Sequence, residues 1–169
     1  MMIRDILLVP DARLKTSCAV VCDFGDSLRA LIQDLEDTMR AGVGSVGVAA
    51  PQIGEMWRVA VVDTSEHRKF GPQSQGFFAL VNPQIISREG EREGREGCMS
   101  LPDFTANVRR AFAVTVRFQD VEGQWREIRC EDFEAVAMQH EIDHLDGILF
   151  LDRVANLQTD VFPRKANRK

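Results

Sequence analysis

His140 and His144, with Glu141 between them, are the residues whose types and spacing point most directly to chemistry. On a helix, side chains at i and i+4 stand about 5–6 Å apart, so two imidazoles can converge on one ion held about 2.0–2.1 Å from each nitrogen. Glu141 lies roughly 100° around the helix axis from His140, so it flanks such an ion and need not ligate it. From there a carboxylate can take a proton from activated water, which is why HExxH on a helix suggests hydrolysis. A chance pair of core histidines is disfavoured, because burying two unpaired imidazoles costs on the order of several kcal/mol.

Such a site needs a third protein ligand and an open position for water. No glutamate follows Glu141 and no histidine follows His144, which excludes the commonest downstream choices. The ligand must come from upstream or from an aspartate. Cys98, in a glycine-flanked turn between polar residues, is the first candidate, and a metal would ionise its thiol outright. Cys130, on an apparently packed strand just before the helix, is the rival.

The helix that positions the histidines is expected over residues 132–147, with Asp132 as N-cap and Gly147 closing it in a left-handed conformation. Phe133, Val136, Ala137, His140 and His144 then share one stripe. A second amphipathic helix is expected over 26–41, capped by Asp26 or Ser27, with Leu28, Leu31, Ile32, Leu35 and Met39 inward. The run SVGVAAPQIG, 45–54, is too small and glycine-rich for a helix or strand interior, and lets backbone approach something closely. Strands are expected at Trp57 to Asp63 and Phe77 to Val81, joined by a polar loop in which His67 faces solvent. The charged run Arg88 to Gly97 reads as a solvated loop. Alternation over Val108, Arg110, Phe112, Val114, Val116 and Phe118, followed by Trp125, Ile128 and Cys130, reads as a hairpin turning over Asp120 to Gly123. Ile148 to Leu151 adds a short strand.

At 169 residues, with 44% hydrophobic content, the chain fits one catalytic domain, residues 1–169. A net charge of −5 without a basic stripe argues against nucleic acid. No apolar run is long enough to span a bilayer, and Asp5 and Pro10 interrupt anything resembling a signal peptide, so a cytoplasmic protein is expected. Cys18 and Cys22 read as small buried hydrophobes rather than half of a zinc site. Residues 153–169 read as a C-terminal extension, its end, 164–169 (Arg164, Lys165, Arg168, Lys169), a frayed basic tail.

Taken together, SVGVAAPQ at 45–52, EGCMS at 96–100 and QHEIDHLDG at 139–147 resemble, in order and spacing, the three motifs of the peptide deformylases, GxGxAAPQ, EGCxS and QHExDHLxG. The resemblance runs from Ile6 to Asp152. It departs at Ser45, where the family has glycine, and at the C-terminus, which shows little sign of the long final helix of some members. It implies an α+β fold, with small, mainly antiparallel sheets around the HExxH helix and a second, N-terminal helix. It implies removal of the formyl group from the N-terminal formylmethionine of new polypeptides, with release of formate. Cys98, His140 and His144 would hold one divalent ion, typically ferrous iron, replaceable by zinc, nickel or cobalt. Glu141 would be the base, and the Gln52 amide and Met99 backbone N–H the oxyanion donors. Val46, Gly47 and Gly97 would pair with an extended peptide. Phe133, Val136 and Ala137 would wall the methionine pocket. The partners expected are formylmethionyl nascent polypeptides and the ribosome, with no DNA and no membrane, for a chain acting as a monomer.

Overall fold

The computed structural model describes residues 2–164. Among these residues are two α-helices and eight strands, the strands forming two antiparallel sheets: α1 (Asp26–Ala41), β1 (Gly47–Ala49), β2 (Val59–Asp63), β3 (Phe77–Glu89), β4 (Arg92–Cys98), β5 (Leu101–Arg110), β6 (Ala113–Gln119), β7 (Trp125–Glu131), α2 (Asp132–Leu145) and β8 (Val161–Pro163). The larger sheet has the order β1-β2-β3-β6-β7 and the smaller β4-β5-β8. This is the expected α+β architecture.

The two helices pack on residues of opposite parity in β2, whose five residues are all buried. Val59 and Val61 join Leu28, Ile32, Leu35 and Met39 of α1 in one core, while Val62 packs with Ala135, Ala137, Met138 and Ile142 of α2 in another. A third cluster, Cys98, Ala106, Val108 and Phe150, lies under the small sheet. The α1 stripe is as expected, with Leu31 half-buried and Gly25 as N-cap in place of Asp26 or Ser27.

α2 departs from an amphipathic helix. Glu134 to Leu145 are all buried, so it is a central helix enclosed on every side. Gly147 ends it at φ +72° as expected, and any Cβ there would meet the Lys15 carbonyl carbon at 2.7 Å. Asp132 does not cap it. Glu131 holds that position, and Asp132, at φ +53°, turns its carboxylate to Arg92 at 2.5 Å.

The expected solvated loop over Arg88 to Gly97 is a second correction. β3 runs to Glu89 and the chain re-enters as β4, whose Glu96 and Cys98 face inward while Glu93, Arg95 and Gly97 face out. The alternating series from Val108 is likewise two strands: β5 ends at Arg110, the chain turns at Ala111 and Phe112, and Phe112 is exposed. The β6/β7 hairpin is as expected, its loop closed by Asp120 accepting from the Glu122 and Gln124 N–H groups. Ile148 to Leu151 is not a strand. A 3-10 turn occupies Phe150–Arg153. The segment 45–54 is the short β1 followed by a 3-10 turn, Ala50–Ile53. In the C-terminal stretch, β8 pairs with β5, and Arg164 donates its N–H to the Asp103 carbonyl rather than fraying. Lys165, Arg168 and Lys169 lie outside the described residues. Cys18 is buried as expected, but Cys22 is exposed.

β4, β5 and α2 are tied by a buried ion cluster that the sequence did not reveal. Arg110 forks onto both oxygens of Glu96, at 2.7 and 3.0 Å, and reaches Asp143 at 2.8 Å. Arg153 completes Asp143 from the chain beyond α2. Removing one partner of such a group leaves charge buried and uncompensated, so Arg110→Ala should destabilise the protein by about 3–5 kcal/mol. Urea unfolding of the purified variant measures this, and a loss below about 1 kcal/mol would show that the cluster contributes little.

Candidate active site

α2 presents His140 and His144 one turn apart, with ring centroids 5.1 Å apart, and the C-terminal end of β4 brings Cys98 against them. One ligand atom from each of the three residues lies within 4.8 Å of the others, and Cys98 Sγ is 3.4 Å from His144 Nε2. Cys130 is not part of this group. It sits in the core between α2 and the large sheet, where burial, and then Glu134, push its thiol up to about 12.

His140 Nδ1 is engaged by Glu96 Oε1 at 2.9 Å, leaving Nε2 as the nitrogen available to an ion. Burial opposes ionisation of Glu96, but its hydrogen bonds to His140 and Arg110 prevail and hold the carboxyl at about 2. The cluster that fastens β4 to α2 therefore also orients a candidate ligand. Glu141 is buried, and its Oε2 has no hydrogen-bond partner. Burial pushes its carboxyl up to about 7, against the pull of His140 and Arg110. A buried orphan oxygen, two convergent imidazoles and a thiol suit a borderline-soft divalent cation with an adjacent proton acceptor.

Cys98, His140 and Glu141 line a cleft of about 290 Å³ shared with Val46, Gly47, Gln52, Gly97, Met99, Phe133, Val136 and Ala137, so every site residue expected from the sequence is on its wall except His144, which touches the lining residue Cys98. Gly47 has no room for a side chain: a Cβ there would stand 2.7 Å from Glu141 Oε1. Gln52 is buried. Its Oε1 accepts from the Ala49 N–H, and its Nε2 donates to Ser100 Oγ at 3.1 Å and lies 3.4 Å from Cys98 Sγ. Ser45 causes no backbone strain, because the left-handed non-glycine residues among those described are Asn82 and Asp132.

His67 is the residue whose placement the sequence misjudged most. It is half-buried at the cleft, its Nδ1 accepts from the Lys69 and Phe70 N–H groups, and its ring packs on Phe133 with centroids 4.4 Å apart. Phe70 stacks on the same Phe133 at 4.9 Å. Glu134 holds this loop down, accepting from Thr64, Ser74 and both the backbone and side chain of Gln75. Phe70 was the available hint, since an aromatic inside a polar loop needs somewhere to bury its face.

Residues 3–160 match the family model described as polypeptide deformylase. The chain belongs to that family. It is thus a metal-dependent hydrolase that removes the N-terminal formyl group from newly made polypeptides. The peptide deformylase of Acidobacterium capsulatum is 43% identical over 168 residues, covering 99% of this chain and 96% of the relative. That of Heliobacterium modesticaldum is 47% identical over 156 residues, covering 92% and 97%. Among solved structures, a peptide deformylase from Legionella pneumophila superposes with a TM-score of 0.84 at 42% identity, over 93% of this chain and 89% of that one. A Met-Ala-Ser-bound class I type b deformylase from Acinetobacter baumannii gives 0.84 at 31% identity, over 90% and 99%. Among the described residues no helix is long and apolar enough to cross a membrane.

Proposed function

We propose that deformylation proceeds in the cleft between α2 and β4, with Cys98, His140 and His144 holding one divalent ion and Glu141 moving the proton. The observation that carries this reading is the meeting of three ligand atoms within 4.8 Å beside a buried carboxylate oxygen that has no partner. When bound, the ion supplies a water acidic enough to lose its proton near neutral pH. Glu141 accepts that proton and returns it to the departing amine nitrogen. The Gln52 amide and the Met99 backbone N–H meet the oxygen as it gains charge. Gly97 on one side, and Val46 and Gly47 on the other, pair with the extended substrate backbone, while Phe133, Val136 and Ala137 enclose the methionine side chain. Ferrous iron is the proposed native metal, and nickel, zinc or cobalt can stand in for it. The enzyme acts as a cytoplasmic monomer that meets its substrates at the ribosome, and residues 1–169 form one domain.

Anaerobic purification with metal analysis, followed by formate release from formyl-Met-Ala-Ser, tests the reading. Cleavage at an internal peptide bond without formate would instead describe a peptidase. Gln52 separates oxyanion binding from substrate binding. Gln52→Leu should lower kcat by about 10²–10³, or roughly 2.7–4 kcal/mol, with KM and metal content little changed. A rise confined to KM would assign Gln52 to binding alone.

A further inference from the structure

Two arginines that line the cleft are outside the reaction proposed above. Arg95 projects from the exposed face of β4 and Arg164 follows β8, and both line the cleft beside Gly97. β8 sets both in place. Its Phe162 pairs with Thr105 and lies under the Arg95 guanidinium, whose carbon is 3.8 Å from the ring centroid. Arg95 also donates to Asn107 Oδ1 at 3.1 Å and Thr105 Oγ1 at 3.3 Å. The Arg164 backbone is held by the Asp103 carbonyl, and its side chain covers Gly97 so closely that a Cβ there would collide with Nη2. Neither guanidinium has an ion-pair partner among the described residues. The cleft's own carboxylates are otherwise placed, Glu96 against Arg110 and His140 and Glu141 buried.

We propose that Arg95 and Arg164 form a cationic rim that reads the residues following formylmethionine and favours nascent chains with acidic side chains there. The inference rests on the cleft being the deformylation site. A peptide pairing at Gly97 would pass close to Arg164, so side chains just downstream of methionine would meet two positive charges that line the cleft. The stacking and hydrogen bonds hold Arg95 in one geometry, which lowers the ordering cost of an ion pair. The chain as a whole has the opposite sign, with a net charge of −5. Its general field would draw basic peptides, so a preference for acidic ones can only be local.

The test is formate release by the nickel-loaded enzyme from formyl-Met-Asp-Glu, formyl-Met-Lys-Lys and formyl-Met-Ala-Ser. At low ionic strength the acidic peptide should exceed the basic one in kcat/KM by about 5- to 20-fold, and about 0.5 M salt should remove most of the difference. In the R95E/R164E protein the order of the two charged peptides should invert. Equal rates for the two in the wild type, or a basic preference, would overturn the rim, as would an unchanged ratio in the reversed variant. Should that variant fail to fold by circular dichroism, R95Q/R164Q and the wild-type salt dependence decide in the same way. No formate from the neutral peptide would overturn the deformylation site itself, and the rim with it.

Discussion

Glu141→Ala protein is expected to purify with its metal in place and to turn over about 10²–10⁴-fold more slowly, the range that general acid–base catalysis contributes. Glu141 is buried, one of its oxygens has no hydrogen-bond partner, and it lies beside Gly47 at a distance that excludes even a methyl group. It is not among the three residues whose ligand atoms cluster. Removing it should therefore delete a proton acceptor and leave the ligands untouched. Metal analysis and kcat on the same preparation check both halves. Loss of metal together with activity would make Glu141 a ligand and leave the base unassigned.

Cys98→Ala should do the reverse, giving a folded protein with neither metal nor measurable formate release. Two imidazoles remain, but the thiolate supplies the only protein charge in the ligand set, and metal affinity depends strongly on deprotonated ligands. Cys98 is small and sits in a satellite cluster with Ala106, Val108 and Phe150, so alanine there should not collapse the fold. Circular dichroism with metal content by mass spectrometry separates the outcomes. Stoichiometric metal in the variant would require a different third ligand, and Cys130 is too deeply packed in the other core to supply it.

The chemistry of α2 was legible because His140 and His144 carry their own geometry: an i, i+4 spacing means the same thing in any helix. α1 was legible for a similar reason, since one of its faces meets a core and the other meets water. What escaped depended on partners remote in sequence. β4 looked like a loop because arginine, glutamate and glycine are poor strand formers, and the pairing to β5 that makes it a strand is tertiary. Glu96, Arg110 and Asp143 carry no sign of their contact in the sequence, and only folding places both carboxylates within 3.0 Å of the Arg110 guanidinium. The seat of His67 was hidden because Glu134, which anchors its loop, draws donors from residues some sixty to seventy positions away. Asp132 is a residue type that suits a cap, but Arg92 on β4 claims its carboxylate.

β4 is the outermost strand of the small sheet, paired with β5 on one side only. A strand so placed presents unpaired N–H and C=O groups to any extended chain, including another copy of itself, and is a hazard for self-association. The outward residues of β4 are Glu93, Arg95 and Gly97. Stacking two such strands would strip water from charges all along the seam, whereas Gly97 adds no side chain of its own and has only that of Arg164 lying over it. The charges thus serve as gatekeepers against unwanted sheet growth, and the one outward position without a side chain of its own restricts docking to a short peptide end. Resistance to edge-to-edge pairing and access for substrate thus fall to the same seven residues.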